Sequence, residues 1–136
     1  MNVFLDDGAF MPMRAHESDA GYDLFAPEDF TISPKSSAVI DTGVHMFIPE
    51  GHVGFLKSKS GLNIKHNIVG EGVIDAGYTG SIRVKLYNFG KEPHSFERGN
   101  KIIQIVILPV YLPWLERVYE IPETDRGDNG FGSTGA

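Results

Sequence analysis

With 136 residues, 41% of them hydrophobic, the chain is long enough for one domain with its own core and short for an enzyme with a fully internal cleft. A formal charge of −6 excludes a broad basic face of the kind that binds duplex nucleic acid through its phosphates, and the absence of cysteine excludes both a disulfide framework and thiol chemistry. The first residues carry acids where a signal peptide carries bases, and no apolar run reaches membrane-spanning length, so a soluble protein of a reducing compartment is expected: cytoplasmic, or in the host cytoplasm for a viral chain.

Val3 to Leu5 is a short strand, followed by a loop to Ala15. In the run Ser18 to Ile32, Gly21 permits a tight backbone and Asp23 stands among Tyr22, Leu24, Phe25 and Ala26. An acid there either caps a turn at a strand edge or serves a ligand or a metal-bound water. Strands are expected at Ala38 to Thr42 and Val44 to Ile48, joined at Gly43 and closed by the turn Pro49-Glu50-Gly51, and again at His52 to Ser58. Short strands recur between turn signals and no segment holds a helical period over three turns, which predicts an all-β sandwich or barrel-like domain. His45 and His52 fall on or beside strands, with no metal-ligand spacing. At Lys59-Ser60-Gly61-Leu62, Ser60 is placed to cap one short helix through Lys65. The free amides of such a start, with Lys57 and Lys59 beside them, suit a phosphate, although the pattern is equally that of an ordinary strand-to-helix turn.

Gly70-Glu71-Gly72 is expected to reverse the chain, making the segment up to Asp75 a hairpin. Asp75 sits between the apolar Ile74 and Ala76. Three residues on, Tyr78 lies in the turn Gly77-Tyr78-Thr79-Gly80. Strict alternation then sets Ile82, Val84 and Leu86 on one face and Arg83, Lys85 and Tyr87 on the other, a half-buried strand. After a loop, Lys101 to Val110 is almost continuously apolar, so both faces are expected to be buried, one of them by another copy of the chain. Gln104 interrupts this run and needs a hydrogen-bond partner. Pro109 and Pro113 end the strand, and Trp114, Leu115, Val118 and Tyr119 read as a last apolar cluster. The glycine-rich residues 124–136 are mobile by composition, yet Arg126, Phe131 and Ser133 offer a planar cation, a ring and a hydroxyl on a backbone able to approach a ligand closely. The expected division is a β domain over 1–123 and an arm over 124–136.

In order, AGYDLFA, KSGL, GVIDAGYTGSI, RGNKIIQI and RGDNGFGSTG resemble the five motifs of the trimeric dUTPase family, from about Ala20 to the C-terminus. The resemblance implies a jelly-roll-like β subunit with one short helix, assembled as a homotrimer with active sites at subunit interfaces and closed by the glycine-rich arm. It implies conversion of dUTP and water to dUMP and pyrophosphate with Mg²⁺, which limits uracil in DNA and supplies dUMP for dTMP synthesis. By the same resemblance Asp75 is the base that activates water, Tyr78 packs under the deoxyribose, and Val73, Ile74 and Arg83 line the nucleoside pocket. Lys59, Ser60, Gly61 and Gln104 are phosphate contacts, and Asp23 acts on magnesium through water. Arg126, Phe131, Gly132 and Ser133 form the closing arm, with the ring over uracil and the arginine on the γ-phosphate. Two departures stand out. Lys59 replaces the arginine usual before Ser-Gly-Leu, keeping the charge without the planar fork. No asparagine matches the one that often reads uracil, which leaves that task to main chain from Ile68 to Gly72. The related dCTP deaminases share the trimer but need an additional glutamate base, and a trimeric nucleotide-binding regulator is the reading outside enzymes.

Overall fold

The computed structural model describes residues 1–135; Ala136, the last residue of the expected arm, lies outside the described residues. Ten strands and one helix follow in chain order: β1 (Val3–Leu5), β2 (Gly21–Phe25), β3 (Phe30–Ile32), β4 (Ser36–Asp41), β5 (Val44–Met46), β6 (His52–Lys57), α1 (Ser60–His66), β7 (Ile68–Asp75), β8 (Arg83–Asn88), β9 (His94–Phe96) and β10 (Lys101–Pro109). Six strands form one curled antiparallel sheet in the order β2-β10-β6-β7-β8-β4, and the pairs β1-β5 and β3-β9 complete the body. This is the all-β class that the recurring strand signals predict, in the jelly-roll-like form with a single short helix that the family resemblance implies.

Alternation decides the burial. On β8, Val84, Leu86 and Asn88 are buried while Arg83, Lys85 and Tyr87 are exposed, and Ile82 just before it is fully buried. On β10, Ile102, Ile103 and Ile105 are buried between β2 and β6, each contributing about 1.5–3 kcal/mol relative to exposure. Toward the end of that strand Val106 and Ile107 are only half-buried and Leu108 is exposed, so two-faced burial holds for its first half alone. Gln104 finds the partner it needs: its Nε2 donates to the Ser58 carbonyl at 3.0 Å.

The expected hairpin at Gly70-Glu71-Gly72 is absent; Ile68 to Asp75 is one continuous strand. These glycines are present for lack of a side chain rather than for turning. A Cβ on Gly70 would stand 2.9 Å from both Ile103 Cδ1 and Leu86 Cδ2, and one on Gly72 2.9 Å from Leu56 Cδ1. The strand changes partner at this point. Ile68–Gly70 pairs with β8, whereas Glu71–Asp75 pairs with β6, so the sheet parts between β7 and β8 beyond Gly70.

The expected helix is found, but its N-cap is Lys59 in an extended conformation, and no side chain caps it. Ser60 is therefore the first helical residue rather than the cap. The predicted cluster of Trp114, Leu115, Val118 and Tyr119 does not form. These residues, with Tyr111, Leu112 and Ile121, are exposed, and Trp114 is wholly so. Past Pro109 the described residues form no strand or helix, and residues 111–129 are exposed throughout.

Candidate functional site

The residues singled out from the sequence fall into two groups at opposite ends of the β6-β7 ladder. The first lies where β7 parts from β8. Val73, Ile74, Asp75, Tyr78 and Arg83 line a single pocket of about 190 Å³. From Glu71 to Asp75 the edge of β7 facing β8 carries no ladder, which leaves main-chain groups free toward this slot. Ile68–Gly70, by contrast, is occupied by pairing with β8, so any main-chain reading of a ligand moves from Ile68–Gly72 toward Val73–Asp75.

Asp75 ends β7 and is exposed. Its apolar neighbours do not enclose it, because successive strand residues face opposite ways: Ile74 is buried and Ala76 packs against the core, while Asp75 shares its face with Val73, itself 60% exposed. Asp75 lines the pocket and stands open to solvent. The turn that follows places Gly77 at φ +84°, a value glycine alone adopts freely. The Tyr78 ring lies over Gly80 and its hydroxyl donates to the Ser81 carbonyl at 2.8 Å. Tyr78 is thus held flat by its own turn with one ring face half exposed. Below it, Ser81 Oγ donates to Asp41 Oδ1, which also accepts from the Gly43 amide at 3.0 Å, and Arg83 Nε stands 3.7 Å from Asp41 Oδ2. The Ser81 hydroxyl, then the Gly43 amide, hold the Asp41 carboxyl below its usual range.

The second group surrounds a pocket of about 360 Å³ lined by Asp19, Gly21, Asp23, Lys57, Lys59 and Gln104 among others. Asp23 is 3% exposed, yet its two oxygens meet two ammonium groups: Lys59 Nζ at 2.5 Å and Lys101 Nζ at 3.1 Å. Neither of its sequence readings anticipated this. The run around Asp23 shows nothing of Lys101, which is brought beside it by the β2-β10 pairing of Lys101 with Phe25. Gly21 is fixed by proximity, since any Cβ there would collide with Gln104 Oε1. At the helix start Ser60 and Gly61 precede the first intrahelical bond, from the Asn63 amide to the Lys59 carbonyl at 2.9 Å, so their amides are free of the helix ladder.

Among the described residues no three His, Cys, Asp or Glu converge on one point. Asp23, with an ammonium on each oxygen, does not suit a metal held by protein alone. A single buried carboxylate beside cations does suit a magnesium ion carried on phosphate oxygens and waters, the usual mode for this hard cation.

The two groups do not meet on one chain. Val53, the ladder partner of Asp75, is the second residue of β6, and Lys59 lies six residues further along, so Asp75 and the helix start are about 20 Å apart. Nor do the described residues of the arm hydrogen-bond to either group. Arg126 Nε donates to the Asn129 carbonyl at 2.8 Å, and the amides of Ser133 and Gly135 bond to Gly130 and Gly132, all within the arm itself. Phe131 is fully exposed at φ +40°, and Gly132 and Ser133 are exposed beside it.

A family model described as dUTPase matches residues 7–135. The deoxyuridine 5'-triphosphate nucleotidohydrolase of Mus musculus is 43% identical over 134 residues, covering 98% of this chain and 83% of the mouse protein. A mutant of the dUTPase of Staphylococcus bacteriophage 80alpha, solved with dUpNHpp, superposes with a TM-score of 0.89 at 36% identity, over 99% of this chain and 98% of that one. A mutant of the dUTPase from phage phi11 of S. aureus, described as revealing the coordination of a structural Mg(II) ion, superposes with a TM-score of 0.82 at 34% identity, over 90% of this chain and 98% of that one.

Proposed function

The chain belongs to the dUTPase family, and from that premise we propose how its residues carry out hydrolysis of dUTP to dUMP and pyrophosphate. The protein is a deoxyuridine triphosphate nucleotidohydrolase. Uracil enters the slot between β7 and β8, bonded by the free main-chain edge at Val73–Asp75, with the deoxyribose on the Tyr78 ring. A 2′-hydroxyl would press into that ring, which excludes ribonucleotides by shape. Asp75 accepts a proton from water as the oxygen attacks the α-phosphorus. The bond from the α-phosphorus to its bridging oxygen breaks, and pyrophosphate leaves with that electron pair. The amides of Ser60 and Gly61, the Lys59 ammonium and the Gln104 amide spread the charge developing on the leaving group. Asp23 would hold a magnesium ion carried on the nucleotide through water, and the ion would supply neutralisation of phosphate charge.

The approximate 20 Å between Asp75 and the helix start carries the quaternary reading, because the α-phosphorus and its neighbouring phosphates are directly bonded while the groups that act on them are far apart on one chain. One subunit supplies the Asp75 pocket and another the Asp23-Lys59-Gln104 pocket. The run of exposed large apolar side chains from Tyr111 to Ile121, Trp114 wholly exposed among them, supports a homotrimer in which another copy covers it. A third copy then brings Arg126, Phe131, Gly132 and Ser133 over the nucleotide, excluding bulk water at an ordering cost. The test is pyrophosphate release from dUTP, dCTP and UTP. Turnover of dUTP alone, without ammonia, is expected; ammonia from dCTP would assign the deaminase reaction instead, and tight binding without turnover would assign a regulator.

A further inference from the structure

His45 on β5 touches the site from behind. Its Nδ1 lies 2.8 Å from the Thr79 carbonyl, in the turn that carries Tyr78, and its Nε2 lies 3.0 Å from Asp6 Oδ1, just past β1. Both partners are pure acceptors: a carbonyl oxygen and an ionised carboxylate. A neutral imidazole has one N–H and can donate to only one of them, leaving a lone pair facing the other; the imidazolium donates to both. Other groups around the ring agree with the charged form. The Phe4 ring meets it edge to face at 5.4 Å, and Asp41 adds negative charge, partly offset by Arg83. The Thr79 carbonyl above all holds the imidazole protonated to higher pH than usual; burial, next in size, opposes it, and Asp6 and then Asp41 reinforce it.

We propose that His45 is a positioning residue for the Tyr78 turn, tying Thr79 to Asp6 through two ring N–H groups and so making the grip on the deoxyribose depend on protonation of the ring. The inference rests on the nucleoside pocket assigned above. Losing a proton removes one of two struts behind a turn whose glycines give it little stiffness of its own. The effect belongs to KM rather than kcat, because His45 touches neither Asp75 nor the phosphate groups.

The experiment compares His45→Gln with the parent protein across pH 6 to 9, following dUTP hydrolysis. Glutamine retains a neutral donor for Thr79 and cannot titrate. The ratio of the variant's KM to the parent's cancels ionisation of the substrate and of Asp75. It is expected to be roughly tenfold at pH 6, the effect of one charge-assisted hydrogen bond, and to fall toward one by pH 9, with kcat within about twofold throughout. A second variant, Asp6→Asn, should move the inflection to lower pH, since it removes the negative charge while keeping an acceptor. A KM ratio flat in pH, or a loss confined to kcat, overturns the proposal while leaving the hydrolase assignment intact. A parent protein that does not turn over dUTP overturns that assignment instead, and a carbon-13 NMR titration of the His45 ring then tests the double bridge directly: an inflection at or below the ordinary imidazole value refutes it.

Discussion

Lys59 Nζ and Asp23 Oδ1 meet at 2.5 Å, so the cation proposed above for the triphosphate is engaged by a buried carboxylate. Lys101 on the other oxygen keeps Asp23 paired when Lys59 turns to a phosphate. Asp23→Asn removes this charge at constant shape and leaves two ammonium groups facing an amide. The expected loss is about 1–3 kcal/mol in chemical denaturation, toward the low end because both lysines reach solvent. Lys59→Arg should lower KM for dUTP severalfold by restoring the planar fork, and an unchanged KM would show that the single ammonium suffices.

Asp75→Asn should bind dUTP with unchanged Kd and assemble normally, while kcat falls about a hundred- to ten-thousandfold, the range for loss of a general base. Isothermal titration with a nonhydrolysable analogue, alongside single-turnover hydrolysis, separates the two. A variant with full turnover would remove Asp75 from its role.

Strand periods were legible in the sequence because alternation is a local consequence of the pleat: Ile82, Val84 and Leu86 could face only one way. Asp75 stayed open in the same terms. Apolar neighbours on both sides fit an acid solvated at a strand end or one kept near a ligand, and the pleat that buries Ile74 turns Asp75 outward at the end of β7. Gly70 and Gly72 read as a turn because glycine's freedom is visible in sequence and the side chains crowding it, Ile103, Leu86 and Leu56, are not. Lys101 and His45 escaped for a related reason. Each acts through a residue distant in the chain, and only strand register brings the partners together. The apolar run from Tyr111 to Ile121 looked like core because its surroundings, in this reading, belong to another molecule.

The two parts of the C-terminal segment should separate on truncation. Removal of residues 126–136 should leave the trimer intact and reduce kcat, since only Arg126, Phe131, Gly132 and Ser133 are lost. Removal from Tyr111 onward should yield monomers as well, by taking away the exposed apolar row. Native mass spectrometry and a dUTP assay on both products distinguish these outcomes. A trimer that survives the longer deletion would place the interface on the β body instead.

Stability should fall on the acid side partly through His94. Burial first, then the His66 ring at 4.7 Å, make its imidazole harder to protonate than in the unfolded chain. Above the ordinary value of 6.5 both states are neutral and the folded state keeps its full stability. Below it the unfolded chain takes up the proton first, so stability declines as pH falls toward the lowered folded value. His94→Gln should therefore flatten the fall in Tm between pH 7 and 5 relative to the parent. His45 has the opposite sign, contributing stability that is complete below 6.5 and lost as pH rises through its raised value. An unchanged acid limb in His94→Gln would assign the decline to other groups.

A site divided between copies, as proposed above, has a consequence that a self-contained site lacks. Asp75→Asn spoils the nucleoside pocket of a subunit and leaves its Asp23-Lys59-Gln104 pocket intact; Lys59→Ala does the reverse. Each homotrimer should be nearly inactive. Unfolding an equal mixture and refolding it randomises the subunits around the ring, and each site then draws Asp75 from one copy and Lys59 from the next. Two independent choices, each correct half the time, restore about a quarter of parental turnover in a closed symmetric assembly. If both groups served one site within a single chain, no arrangement of the two variants could place an intact Asp75 beside an intact Lys59, and the refolded mixture would stay at the level of the separate mutants. Native mass spectrometry of the same refolded mixture checks that inactive sites within assembled trimers, rather than lost protein, account for the remainder.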